Sequence, residues 1–196
     1  MTLDDLLAPE RLSLRFTPGA VAIEPLAEFW GELEQPRVGV MLHYDGSASD
    51  AGGLRWLKSR EVRASYNLVV FDNGSWGVLA PLDRRAWHAG VCRPSKPDVL
   101  PYADANSAFY GIAILNGGRE DVRPRQLLTA AWLTARLFRR HEWDTIRDGY
   151  RVVGHSSEAW KRGRKTDPEG ADPDNPILSP ADIRELLPLF VDVEAL

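Results

Sequence analysis

Two histidines and one aspartate are the residues of this sequence best suited to bind a metal. His43 ends the short apolar segment RVGVMLH, and His155 ends RVVGH. Polar groups at strand ends are where sheet-based sites often lie. Asp167 follows His155 by twelve residues. Each residue alone is more simply interpreted as structural, but two imidazoles and one carboxylate form a known catalytic zinc set that leaves a fourth position for water.

The other two histidines and the single cysteine have simpler interpretations. His88, in the segment RRAWHAG, is interpreted from composition alone as a surface-loop residue. His141 follows two arginines at the end of a predicted helix, where a cation complements the helix dipole, so we interpret it as structural. Nothing pairs Cys92 with a base, and as the only cysteine it forms no intrachain disulfide, which fits a reducing compartment.

A basic cluster lies just before Asp167. Its members are Lys161, Arg162, Arg164 and Lys165. Such a run is usually a solvated face, and a phosphate or nucleic-acid patch is the alternative. The formal net charge of −4 disfavours nucleic-acid binding. Lys165 stands two residues before Asp167, so its cation could hold an oxyanion beside the metal.

The bulk composition is that of one ordinary globular domain. Of the 196 residues, 44% are hydrophobic and 27% are charged, so a sizeable core can form. No stretch approaches the ~20 apolar residues of a membrane-spanning helix, and Asp4 and Asp5 make the N-terminus a poor secretory signal. We therefore expect a cytoplasmic protein that binds neither membrane nor nucleic acid, with phage lysis or specialised export as other routes out of the cell.

Apolar periodicity and turn residues predict the elements that position these side chains. Strands are predicted at 37–43, 66–71, 75–80, 109–115 and 151–155, and helices at 26–33, 50–59, 124–140 and 180–190. Asp72-Asn73-Gly74 predicts a hairpin between the second and third strands, because such a turn needs residues tolerant of positive φ. Pro124 suits the first turn of the long helix. The loops 91–108 and 156–179 exceed the ~12–15 residues beyond which loops are often functional.

Four segments of the chain resemble, in the same order, the type 2 N-acetylmuramoyl-L-alanine amidases, the AmpD-like family that shares its fold with peptidoglycan recognition proteins. The segments are VGVMLHYDGS (38–47), ASYNLVVFDNGSWGVLAPLDRRAWHAGV (64–91), NSAFYGIAILNGG (106–118) and VVGHSSEAWKRGRKTDPEG (152–170). The RAWHAG and RKTDP pieces are the specific ones.

The resemblance implies a mixed α/β fold, with a central mixed β-sheet flanked by helices. It assigns residues 37–196 to a zinc amidase domain and leaves 1–36 as an N-terminal extension without a match. The implied activity is hydrolysis of the amide between N-acetylmuramic acid and L-alanine, in intact peptidoglycan or in soluble muropeptides. The alternative is a peptidoglycan-binding recognition module without catalysis.

The family's functional positions carry over to individual residues. The resemblance implies that His43, His155 and Asp167 bind Zn²⁺. Two further sets complete the implied site: Lys165 and Tyr66 as catalytic residues, Trp87 and His88 as residues that line the substrate groove. Lys165 would stabilise the transition state, and Tyr66 would lie near the attacking water.

Two departures from the family pattern concern the site. AmpD-like members usually carry a glutamate where this chain has Ala113. A phage amidase group lacks that glutamate and uses the tyrosine, so we expect Tyr66 to take over its role. The family's DPG is Asp167-Pro168-Glu169-Gly170 in this chain, which predicts a differently shaped loop after the last ligand.

Overall fold

The structure of the chain is a computed structural model. The structure describes residues 16–23, 30–44, 49–59, 64–115, 122–160, 165, 167–168, 177–192, 194 and 196. Within these ranges, no helix combines the length and the apolar character that crossing a membrane requires.

Seven short strands form two sheets in the described part of the chain. They are β1 (Trp30–Gly31), β2 (Gly39–Tyr44), β3 (Leu68–Val70), β4 (Trp76–Val78), β5 (Arg85–Ala86), β6 (Phe109–Ile114) and β7 (Val152–Gly154). The central sheet has the order β4-β3-β6-β2-β7, and β1 pairs with β5 in a separate small sheet. Only β4 runs antiparallel in the central sheet, because it is joined to β3 by the predicted hairpin. Gly74 occupies the turn with a φ of 80°.

Five helices accompany these strands within the described residues. They are α1 (Asp50–Leu57), α2 (Ala105–Ala108), α3 (Pro124–Arg140), α4 (His155–Glu158) and α5 (Pro180–Leu186). The long helix α3 begins at Pro124, and the Gln126 side chain accepts a hydrogen bond from the backbone N–H of Arg123. A 3-10 turn at Leu187–Phe190 continues α5.

The mixed α/β prediction is confirmed, and so is each predicted strand and the helices predicted at 50–59, 124–140 and 180–190. The helix predicted at 26–33 is wrong where the structure describes it. Trp30–Gly31 forms β1, which pairs with Ala86 and Arg85 of β5. Gly31 also lies against the Trp87 ring, a tertiary contact that the local pattern could not reveal. Residues 26–29 lie outside the described residues.

The two faces of the central sheet have different environments. One face packs against α3, α5 and the turn after α5, and its apolar side chains include Leu42, Leu68 and Ile112. Successive residues of a strand point to opposite faces. His43 and Ala113 therefore lie on the face away from α3, where Ala113 belongs to a smaller apolar cluster with Val69 and Met41 belongs to another.

The proposed boundary between an extension and an amidase domain at residue 36 stays a prediction. Residues 1–15 and 24–29 lie outside the described residues. Part of residues 1–36 lies against the remainder of the chain, since the backbone N–H of Val21 donates to the Trp76 carbonyl at 2.7 Å.

Candidate metal centre

The three predicted ligands meet at one edge of the central sheet. His43 is near the end of β2, and His155 directly follows β7, the parallel neighbour of β2. The carboxyl ends of parallel strands meet at the same sheet edge, so the topology itself brings the two imidazoles together. One carboxylate oxygen of Asp167, Oδ2, lies 2.8 Å from His43 Nδ1 and 3.1 Å from His155 Nδ1. The candidate ligand atoms all lie within 4.8 Å of one another.

The second ring nitrogen of His155 fixes its tautomer. His155 Nε2 lies 2.8 Å from the carbonyl oxygen of Ala89. A carbonyl oxygen only accepts hydrogen bonds, so Nε2 carries the proton and donates it. In the neutral ring, Nδ1 then presents a lone pair toward Asp167.

His43 receives the same orientation through His88. His88 Nε2 donates to the carbonyl of Phe109 at 3.1 Å, which leaves His88 Nδ1 as an acceptor in the neutral ring. His43 Nε2 lies 3.0 Å from His88 Nδ1, so His43 is the donor in this contact. The lone pair of His43 Nδ1 therefore also points toward the Asp167 carboxylate.

The donor set fits a bound cation. Two lone pairs and an anionic oxygen face one another in a site where both histidines are buried and the Asp167 side chain is only 13% exposed. Burial lowers the pKa of His43 to about 4, although the close contact with Asp167 and its charge act in the opposite direction. At neutral pH, His43 therefore has no second ring proton that could lie between its Nδ1 and the Asp167 oxygen. Nitrogen and oxygen ligands in a set of three match the catalytic sites of zinc enzymes.

The close contacts with the two histidines also keep the aspartate ionised. Burial alone would raise the pKa of Asp167, but its contacts with His155 and His43 hold that pKa far below the usual range. Two neutral imidazoles and one carboxylate carry a single negative charge, so a divalent ion in the site would leave it net positive.

His88 does not occupy the position expected of it. Composition alone placed it in a surface loop, which is wrong, because it is 6% exposed and both ring nitrogens are engaged inside the protein. A Cβ on Gly111 would lie 2.7 Å from His88 Cγ. Position 111 of β6 must therefore be glycine to leave room for the His88 ring. The small apolar residues Ala86 and Ala89 that flank His88 are the feature of the sequence that could have indicated its burial.

Glu158 is a buried residue that the sequence analysis did not single out. It is 2% exposed and lies on α4, three residues after His155. Its Oε2 accepts hydrogen bonds from the Ser95 backbone N–H at 3.0 Å and from the Tyr102 hydroxyl at 2.8 Å. Burial and then this contact raise the pKa of Tyr102, which keeps the hydroxyl a donor. Glu158 thus ties the loop after the RAWHAG segment to the helix that begins with His155.

The remaining predicted residues surround the histidines. The Tyr66 ring lies 4.9 Å from the His43 ring between centroids, and Ala113 is the direct β6 neighbour of His43. Lys165 is exposed, and its positive charge is one of the smaller influences that lower the pKa of His43, after burial. Trp87 is half-buried and packs under the Arg85 guanidinium, 4.3 Å from its ring centroid. Among the basic cluster, Lys161, Arg162 and Arg164 lie outside the described residues.

One known protein family matches most of this chain. A family model described as N-acetylmuramoyl-L-alanine amidase matches residues 34–170. Among curated proteins, no sequence matches this chain significantly.

Solved structures share the fold at low sequence identity. A structure of AmpD is 19% identical, covers 95% of this chain and 99% of its own, and has a TM-score of 0.62. Hydrolase AmiA of Staphylococcus aureus, solved with its ligand, is 14% identical, with coverages of 97% and 90% and a TM-score of 0.67. The amidase AmiD from E. coli, solved with anhydro-N-acetylmuramic acid-L-Ala-D-γ-Glu-L-Lys, is 22% identical, with coverages of 75% and 56% and a TM-score of 0.54.

Proposed function

The chain belongs to the N-acetylmuramoyl-L-alanine amidase family, and from that premise we propose that it is a zinc-dependent hydrolase acting at the edge of the sheet where β2 and β7 end. The bond cleaved is the amide between the lactyl carbonyl of N-acetylmuramic acid and the nitrogen of L-alanine. The substrate is intact peptidoglycan or a soluble muropeptide.

One observation carries the proposal for zinc. Through the carbonyls of Ala89 and Phe109, the protein orients the Nδ1 lone pairs of both histidines toward the Asp167 carboxylate. Ligand histidines commonly donate their other ring N–H to a carbonyl or carboxylate, which fixes the tautomer that binds metal. His43, His155 and Asp167 would therefore hold the ion. A zinc ion in such a set polarises carbonyl oxygens and acidifies water.

The neighbouring residues would act on the reacting groups. As water adds to the carbonyl carbon, negative charge develops on the carbonyl oxygen, and the Lys165 ammonium would offset it. Tyr66 would orient the attacking water, since its ring lies beside His43 and the neighbouring β6 residue is Ala113. The C–N bond then breaks, and the L-alanine nitrogen leaves as an amine after taking up a proton.

His88 and Trp87 are proposed to have different roles, His88 behind a metal ligand and Trp87 in contact with the substrate. Both nitrogens of His88 are engaged, so we assign it to positioning His43 rather than to substrate contact. Trp87 remains a proposed part of the groove wall, since half-buried tryptophan can present one edge to a ligand.

The decisive experiment compares two substrates with and without metal. Purified protein is incubated with intact sacculi and, separately, with soluble anhydro-muropeptides, each with zinc or with chelator. Mass spectrometry then identifies the products. We expect free stem peptides beginning with L-alanine, released in the zinc samples only.

The outcomes separate the alternatives. Release from one substrate identifies the form that the enzyme uses. Release that persists in chelator contradicts zinc dependence. Binding of muropeptides without release from either substrate would replace the proposal with the recognition-module alternative.

A further inference from the structure

A short two-stranded ladder is formed by the chain just after the RAWHAG segment and the chain at the end of α4. Cys92 and Ala159 form an antiparallel bridge. On either side of it, the backbone N–H of Trp160 donates to the Val91 carbonyl at 3.0 Å, and that of Arg93 donates to the Glu158 carbonyl at 2.9 Å. The ladder therefore joins the chain after RAWHAG to the chain after α4.

The two faces of this ladder differ. Cys92 packs against the core cluster around Met41, and Ala159 is buried, so these two side chains point inward. Val91 and Trp160 point outward and are 65% and 41% exposed. The Arg93 guanidinium lies over the Trp160 ring, 3.3 Å from its centroid. We call the surface made by Val91, Arg93 and Trp160 the rim surface.

The rim surface lies next to the metal centre along both strands of the ladder. The Ala89 carbonyl accepts the hydrogen bond of His155 Nε2, and Val91 is two residues further. Two residues span at most about 7 Å of extended chain. Trp160 follows His155 by five residues, and the one-turn helix α4 occupies most of that interval. A peptide of a few residues is long enough to span this interval from the metal centre to the rim surface.

The chemistry of the rim surface matches an acidic peptide. Tryptophan and arginine dominate the energetics of binding sites, and an exposed tryptophan beside an exposed valine offers apolar contact area. Arginine pairs with carboxylates through a planar fork of donors. The stem bound in the AmiD structure, L-Ala-D-γ-Glu-L-Lys, carries two carboxylates, one on the γ-linked glutamate and one at its end.

We propose that the rim surface binds the peptide stem of the substrate, with Arg93 pairing a stem carboxylate while Trp160 and Val91 contact its aliphatic parts. The proposal rests on the proposed amidase function, because that function places the stem beside the centre. The Trp160 ring holds the guanidinium above the surface, which reduces the freedom that Arg93 loses on binding. Arg93 is thereby assigned as a residue that determines specificity for acidic stems.

The test measures binding of three synthetic stems to the zinc-loaded protein by calorimetry. They are L-Ala-D-γ-Glu-L-Lys, the same peptide with the glutamate α-carboxyl amidated, and the same peptide with its C-terminus amidated. Amidation of one of the two carboxyls should weaken binding about tenfold, as loss of one charge-assisted hydrogen bond would. The amide that has this effect identifies the carboxylate that Arg93 contacts.

Variants assign the effect to the surface. Arg93→Gln should bind all three peptides alike, whereas Arg147→Ala, which removes an exposed arginine paired with Asp144, should keep the wild-type preference. Trp160→Ala should weaken binding of all three. Equal binding of the three peptides by the wild type, or an unchanged preference in Arg93→Gln, would overturn the proposal. Because these peptides lack the cleavable amide, the result is distinguishable from failure of the amidase assay.

Discussion

Leu42 and His43 are consecutive residues of β2, both fully buried, yet they point to two faces of the sheet that work in different ways. Leu42 faces the cluster under α3, where the buried side chains are apolar and their contacts have no preferred direction. His43 faces a set of polar groups in which each ring nitrogen has one partner.

This contrast predicts different responses to mutation. An apolar core tolerates swaps that conserve volume, and its losses appear as reduced stability. In the polar set, a displaced partner would no longer fix the tautomer of the next ring, so its losses should appear as reduced metal binding and catalysis. Substitutions on the apolar face should therefore change mainly the free energy of unfolding, and substitutions on the polar face should change mainly turnover.

The largest effect is expected from the ligands themselves. His43→Ala and Asp167→Ala remove one donor each, so zinc should be absent after dialysis and amide cleavage should fall to background. Elemental analysis measures the metal content, and circular dichroism checks that the fold persists. One zinc per chain in either variant would contradict the ligand assignment.

A substitution on the helix face should give the opposite pattern. Leu133 is fully buried on α3. Leu133→Ala should lower the free energy of unfolding by ~2–5 kcal/mol through lost contacts and a cavity. Zinc content and turnover per folded molecule should stay at the wild-type level, as denaturant titration and a cleavage assay would show. A loss of zinc would mean that the two faces are not independent.

Lys165 tests the polar face without touching the metal. Removing one positioned group that stabilises an oxyanion costs ~2.7–4 kcal/mol, so Lys165→Ala should reduce turnover by ~100-fold or more. Zinc stoichiometry should be unchanged because Lys165 is not a proposed ligand. Wild-type turnover in this variant would remove Lys165 from the mechanism.

Gly111 tests the orientation of His43 through His88. Gly111→Ala places a Cβ 2.7 Å from His88 Cγ and should displace the ring that accepts the His43 hydrogen bond. Disturbing such a partner of a ligand histidine typically costs ~10–100-fold in metal affinity or activity. The matched control is Gly19→Ala, where a Cβ meets nothing within 4 Å. Equal zinc affinity in both variants, measured by competition with a chelator, would contradict the positioning role of His88.

The smallest effect is expected at Tyr66. Tyr66→Phe removes one hydroxyl, and a net hydrogen-bond contribution of ~1 kcal/mol corresponds to about a fivefold loss of turnover. Adding Ala113→Glu should restore part of that turnover, because Ala113 is the β6 neighbour of His43. If the double variant is no faster than Tyr66→Phe in the cleavage assay, the tyrosine does not stand in for the family glutamate.

Much of the fold was predictable because its elements depend on local patterns. Apolar runs predicted β2 and β6, the Asp72-Asn73-Gly74 turn predicted the hairpin, and Pro124 marked the start of α3. The Trp30–Gly31 strand was not predictable in this way, since its pairing with β5 and its contact with Trp87 involve residues far away in sequence.

For the candidate site, the sequence by itself determined which residues can bind metal. Its pattern alone shows a histidine at the end of each of two apolar strands and an aspartate in RKTDP. Only the tertiary structure decided how they are oriented. The tautomers depend on the carbonyls of Ala89 and Phe109, on His88 beneath His43 and on the space left by Gly111. Hydrogen bonds are directional and join residues distant in sequence, so no local pattern could reveal them.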